Sequence, residues 1–216
     1  MQYTALVLGS TGLIGTSVIN LLLEDDRYKC VYAIVRKSNS FPSHPKLVEV
    51  IATLETIHEY NNELKINHIY CCIGSTKRKT PDLKTYFKID HDYPINTAKL
   101  FPCDTYTYIS SVGANHNSSN FYLQMKGQTE IDLKHLSIPS LNILRPSLLL
   151  GRRNEKRFLE DIAQYIYPIL NKVLIGSLRK YRAIAAVDVA KAMINCTNQV
   201  HQGIRIFESE EIIKLT

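Results

Sequence analysis

The chain has 216 residues, 45% of them hydrophobic and 21% charged, with a formal net charge of +6. That length fits one domain able to bury roughly 70% of its unfolded surface, and the composition is that of an ordinary soluble globular protein. No run approaches the ~20 apolar residues needed to span a bilayer, and with Met1-Gln2-Tyr3 leading straight into a strand-like run no signal peptide is expected.

The first strand is expected at Thr4–Leu8, and the helix after it at Gly12–Leu23, with Ile14, Val18, Leu21 and Leu22 at helical spacing. Between them lies Gly9-Ser10-Thr11-Gly12-Leu13-Ile14-Gly15. Three glycines so placed let the backbone turn tightly out of a strand, approach a pyrophosphate through its N–H groups, and enter a helix packed close on the sheet. All seven residues are therefore candidate dinucleotide contacts. The second strand, Cys30–Val35, runs into Arg36-Lys37. An NAD-preferring site places a carboxylate here for the ribose 2′-hydroxyl, whereas two cations suit a 2′-phosphate, so NADP(H) is expected ahead of NAD.

Further strands are expected at Leu47–Ile51, His68–Ile73, Thr105–Ser110, Leu141–Leu144 and Ile204–Glu208. Helical patterns fall at Thr53–Tyr60, Asp82–Leu100 (kinked or restarted at Pro94), Phe121–Leu136, Glu155–Leu170 and Val187–Thr197. This alternation predicts an α/β fold, a doubly wound and mostly parallel Rossmann sheet, as a single domain over 1–216. The stretch 152–182 breaks the alternation and is expected to be a small helical excursion on the substrate side.

Tyr122 and Lys126 stand four apart on a predicted helix and so share one face, and Ser110-Ser111 ends the fifth strand. A phenol can hand a proton to a carbonyl oxygen as hydride arrives, an ammonium nearby favours the phenolate, and a serine hydroxyl can orient the same oxygen. Tyr-x-x-x-Lys alone is weak in a chain with 13 tyrosines. The order glycine turn, Ser111, Tyr122, Lys126 is much more specific. Ser111, Tyr122 and Lys126 are the candidate catalytic residues.

With those residues in place, the chain resembles the short-chain dehydrogenase/reductase superfamily over nearly its whole length. Leu144-Arg145-Pro146-Ser147-Leu148-Leu149-Leu150-Gly151 looks like the R-P-x-x-x-x-G segment of the extended and atypical branches, and Ala185-Ala186-Val187-Asp188-Val189-Ala190 like their V-x-D-V-A helix entry, with Asp188 as the helix cap. Cys71-Cys72-Ile73-Gly74-Ser75-Thr76-Lys77 and Asp90-His91-Asp92-Tyr93 are similar to the atypical group containing the Tat-interacting oxidoreductase-like protein and its bacterial relatives. The resemblance implies NADP(H) along Gly9–Gly15, Arg36 and the end of the fourth strand at Cys72, Ile73 and Gly74, with Tyr122 and Lys126 touching both cofactor and substrate. Two departures stand out. Thr53 occupies a place where relatives carry an Asp for adenine, and Asp90 one where Asn serves the proton relay.

The seven histidines and five cysteines show no ligand spacing, so no metal is expected and the thiols read as reduced, in a cytoplasmic protein. The basic residues are dispersed without interleaved aromatics, which points to an anionic cofactor and substrate and away from nucleic acid. Two functions follow. One is an NADP-dependent oxidoreductase acting on a small carbonyl or alcohol. The other is a non-catalytic NADPH-binding redox sensor or scaffold with a protein partner. An epimerase of nucleotide sugars would need a larger carboxyl-terminal region. Homodimer formation stays open.

Overall fold

The computed structural model describes residues 2–53, 55–61, 63–150, 183–199 and 201–216. Its strands are β1 (Tyr3–Leu8), β2 (Tyr28–Val35), β3 (Leu47–Ile51), β4 (His68–Cys71), β5 (Thr105–Ile109), β6 (Ser140–Arg145), β7 (Leu149–Leu150), β8 (Ile184–Ala185) and β9 (Gly203–Glu208). Seven of them make one sheet in the order β3-β2-β1-β4-β5-β6-β9. Every neighbouring pair in it is parallel. The short β7 and β8 pair separately. All seven strands expected from the sequence lie in the sheet, and the order reverses between β1 and β4, where a crevice must open at the carboxyl ends.

The helices are α1 (Leu13–Glu24), α2 (Leu83–Phe87), α3 (Tyr93–Leu100), α4 (Phe121–Lys134), α5 (Ala186–Thr197) and α6 (Ser209–Lys214). Alternation along β1 sends Ala5 and Val7 into a core shared with Val18 of α1 and Met193 of α5, and Leu6 and Leu8 into one shared with Ile95 of α3 and Leu133 of α4. Burial on both faces is why these strands read as near-continuous apolar runs.

Two expected elements differ in form, and one expected helix cap moves. Thr53–Tyr60 reduces to one 3-10 turn at Ile57–Tyr60; the Thr53 N–H bonds to the Thr56 hydroxyl at 2.9 Å, and the Ile57 N–H keeps one helical bond to the Thr53 carbonyl at 3.0 Å. Asp82–Leu100 comes in pieces: α2, a π turn at Lys88–Asp92, then α3. Pro94 has no N–H for the Asp90 carbonyl and its ring crowds that oxygen, so the chain widens by a residue and Tyr93 closes the turn on Lys88. The released Asp90 carbonyl is met at 3.4 Å by the Thr129 hydroxyl. Asp188 is not the cap of α5; Ala185 holds that position, and Asp188 sits in the first turn, where its charge suits the helix dipole. The excursion expected at 152–182, with its helix and the Arg152–Arg157 cations, lies outside the described residues.

The core beneath α5 also holds a polar chain. The Tyr28 hydroxyl lies 2.8 Å from His68 Nδ1 and 2.7 Å from the Tyr70 hydroxyl, and Asn198 Nδ2 donates to it at 3.0 Å. Burial pushes His68 down to about 4. The unfolded chain therefore takes up a proton near pH 6.5 that the folded form refuses until about pH 4, so this contribution to stability is whole above pH 6.5 and declines as pH falls through that window. Between pH 7 and pH 5 the wild type should lose about 2 kcal/mol by denaturant titration. A His68→Gln chain should show a clearly smaller drop; an equal drop would place the titration elsewhere.

Candidate functional site

The site begins where β1 ends. Gly9 adopts φ +68°, and a Cβ there would sit 2.7 Å from the Cys72 carbonyl oxygen. A Cβ on Gly15 would drive into the Gly9 carbonyl, so α1 can lie this close to the turn only with glycine present. Gly12 donates its N–H to the Gly9 carbonyl at 2.9 Å. Ser10 is buried and its hydroxyl donates to the Ile34 carbonyl at 2.6 Å, tying the turn to β2, while Thr11 is exposed at the tip. No side chain caps α1, so its first N–H groups stand at the positive end of the helix dipole without a side-chain acceptor.

A cleft of about 370 Å³ opens at the carboxyl ends of β1, β4, β5 and β6. Its wall brings together Gly12, Leu13 and Ile14 of the turn, Cys72, Ile73 and Gly74 after β4, Ser111 after β5, and Tyr122 and Lys126 of α4. Gly9, Ser10, Thr11 and Gly15 shape the turn without forming that wall. Arg36 and Lys37 are exposed just past β2, on the same edge of the sheet but outside the wall. Pro146 and Ser147 complete the cleft beyond β6.

Tyr122 opens α4, where Asn120 caps the helix by accepting the N–H groups of Tyr122 and Leu123 at 3.0 and 3.2 Å. One turn on, Lys126 is buried. Its ammonium donates to the Tyr108 hydroxyl at 3.1 Å and the Ile109 carbonyl at 3.2 Å, and lies 3.4 Å from Asp90 Oδ1. Burial alone would discharge it. Tyr108, Asp90 and Tyr122 outweigh that cost, and its pKa is held well above that of a free lysine. Burial also raises Tyr108, which stays a neutral phenol under the ammonium. At Gly127 a Cβ would run into the backbone of Asn115 and His116, so the polar loop before Tyr122 lies directly against α4.

Beneath Ser111 lies a charged support. The Ser110 hydroxyl donates to Glu130, which also takes two parallel bonds from Arg145, at 2.9 and 2.6 Å. Arg145 reaches Glu208 at 2.9 Å with its remaining arm. The arginine before Pro146 thus acts as a hub joining β5, α4, β6 and β9, next to the cleft wall. Sequence reading missed Glu130, Tyr108 and Tyr86, the last a cleft residue. The signals were there: Glu130 follows Lys126 at helical spacing, and Tyr106 and Tyr108 alternate onto one face of β5.

Sheet order and the crevice at the carboxyl ends define a doubly wound Rossmann fold. Among solved structures, the Bordetella bronchiseptica enzyme WbmH in complex with NAD+ superposes with a TM-score of 0.71 at 17% identity, covering 96% of this chain and 76% of that one. No family model matches the sequence. Among curated proteins, FMP52, mitochondrial, of Eremothecium gossypii is 30% identical over 98% of this chain and 96% of its own length. Rat HTATIP2 is 28% identical over 97% of this chain and 87% of its own. The chain belongs to the FMP52 family. The expectation of a cytoplasmic protein is corrected by these relatives, since the fungal proteins are named as mitochondrial; dispersed charge and reduced thiols do not distinguish the two compartments.

Proposed function

We propose that this chain is an NADP(H)-dependent oxidoreductase that moves a hydride between the nicotinamide and a small carbonyl or alcohol. The observation that carries the reading is that Ser111, Tyr122 and Lys126 share one cleft with the open end of α1. The residues present suit a dinucleotide: Gly9 and Gly15 let the turn and α1 pack where a Cβ would meet backbone, and α1 offers uncapped N–H groups to a pyrophosphate. When bound, the dinucleotide supplies or accepts the hydride. Tyr122 gives the proton to the substrate oxygen in reduction and takes it back in oxidation. Ser111 donates a hydrogen bond to that oxygen and orients it. Lys126, fixed as an ammonium, donates to the ribose hydroxyls. The complex of WbmH with NAD+ supports a nicotinamide dinucleotide in this fold.

Arg36 and Lys37, solvent-facing at the end of β2, favour the phosphorylated cofactor. Arg36→Ala should weaken NADPH by about tenfold or more and leave NADH within about twofold, measured by fluorescence titration. Equal losses for both would defeat the 2′-phosphate reading.

A second reading, an NADPH-binding sensor that reports to a protein partner without turnover, draws on the Asp90 carboxylate already set against Lys126. Following NADPH absorbance against aldehydes, ketones and quinones separates the two. Turnover supports the enzyme; tight binding with no turnover on any of them supports the sensor.

A further inference from the structure

Ser75, Thr76 and Lys77, which follow β4, line the cleft together with Tyr86 of α2. The strap they belong to is held closed. The Ser75 N–H donates to Asp90 at 2.7 Å, the Ser75 and Thr80 hydroxyls lie 2.5 Å apart, and the N–H groups of Lys79 and Thr80 both reach the Thr76 carbonyl. Lys77 is exposed on this turn. The acids around it are engaged elsewhere: Asp90 with Lys126 and Ser75, Asp82 with the N–H and hydroxyl of Thr85. Among the described residues no carboxylate pairs with the Lys77 ammonium. Tyr86 is 4% exposed, and its ring packs on Phe121, the neighbour of Tyr122, with centroids 5.9 Å apart. Its hydroxyl reaches the Ser75 carbonyl at 3.4 Å, where such bonds are usually about 2.8 Å, so its proton is loosely held. Burial, with Asp90 and Tyr122 close by, pushes its pKa up, and it remains a donor.

We propose that Tyr86 and Lys77 together bind a carboxylate on the substrate, the hydroxyl donating to one oxygen and the ammonium to the other. The inference rests on the reading that a carbonyl substrate enters this cleft beside Tyr122. In that reading the dinucleotide has its own partners: the first N–H groups of α1 for the pyrophosphate, Arg36 and Lys37 for the 2′-phosphate, and Lys126 for the ribose. Among the described residues, Lys77 is the cation of the wall that they leave over. One hydroxyl and one ammonium match the two oxygens of a carboxylate, whereas a phosphate would leave acceptors unmet. The contact of Tyr86 with Phe121 sets this pair on the Tyr122 side of the cleft. A cleft of about 370 Å³ suits a short molecule with its carbonyl at Tyr122 and its carboxylate at Tyr86. The substrate class is then the short oxo acids and, in the reverse direction, the corresponding hydroxy acids.

Calorimetric titration of the full chain, with and without NADP+, against short oxo acids and their methyl esters tests this. Pyruvate, 4-oxobutanoate and 4-oxopentanoate vary the span from carbonyl to carboxylate, and each ester keeps the carbonyl while losing the charge. At least one acid should bind about tenfold or more tighter than its ester. Lys77→Gln, at an exposed position that should not disturb folding, should cost that acid about tenfold and leave its ester within about twofold. Tyr86→Phe should weaken the same acid by about threefold or more. Esters bound as tightly as their acids throughout, or a Lys77→Gln chain that still prefers the acid, overturn the proposal. A tenfold loss of NADPH affinity in Lys77→Gln also overturns it, because the ammonium then belongs to the phosphates of the dinucleotide. Rates separate the premise. If an acid binds through Lys77 and NADPH reduces none of the series, the carboxylate site stands and the oxidoreductase reading is what fails.

Discussion

Tyr122→Phe is expected to lower the rate of NADPH-dependent reduction by roughly 10²–10⁴-fold while leaving NADPH affinity within about twofold. The substitution removes one hydroxyl and keeps the ring, and the start of α4 is fixed by Asn120 through backbone groups that phenylalanine retains. The loss should therefore fall on kcat, the mark of a group needed in the transition state more than in the bound complex. Steady-state rates beside a direct binding titration make the comparison. If Tyr122→Phe keeps wild-type turnover, the proton comes from another cleft hydroxyl, and Tyr122 is a wall residue only. Loss of binding and rate together would point instead to a disturbed α4.

Glu130→Ala should destabilise the fold by about 3–5 kcal/mol in denaturant titrations. Glu130 is 2% exposed and receives both the two-armed bond from Arg145 and the Ser110 hydroxyl. Its removal leaves a half-buried guanidinium with Glu208 alone. Glu130→Gln keeps an acceptor and the side-chain volume, so it should cost clearly less than alanine. Equal costs would mean that packing, rather than charge, is the larger part of what Glu130 contributes. Because Ser110 precedes Ser111, both variants should also raise the KM for any carbonyl substrate found.

Most of the sheet could be read from the sequence because strands buried on both faces announce themselves as apolar runs, and β1 with its glycine turn is the clearest. The turn was readable for the same reason that it works: Gly9 and Gly15 stand where no side chain fits. What escaped were features set by contacts between distant segments. Nothing local in Lys88–Asp92 marks a π turn. It arises because Pro94 breaks the hydrogen-bond ladder while Ser75 and Lys126 draw Asp90 inward. Thr53–Tyr60 carries a helical pattern, yet only Ile57–Tyr60 closes as a 3-10 turn. Nothing near Arg145 in the sequence marks its partners. Its charge in fact faces Glu130 and Glu208, and the neighbouring Pro146 and Ser147 form the wall.

The arm that Arg145 extends to Glu208 bears on how the molecule comes into being. Glu208 lies 63 positions after Arg145, at the end of the strand that closes the sheet's edge. On a ribosome emitting the chain from its amino end at about 5–20 residues per second, β1 and α1 emerge early and the glycine turn has its neighbours β2 and β4 soon after. The corner with Ser110, Glu130 and Arg145 then waits until β9 has emerged and paired with β6. A nascent chain thus passes through an interval in which the half of the sheet that carries the glycine turn is in place while the corner beneath Ser111 still lacks its final clasp.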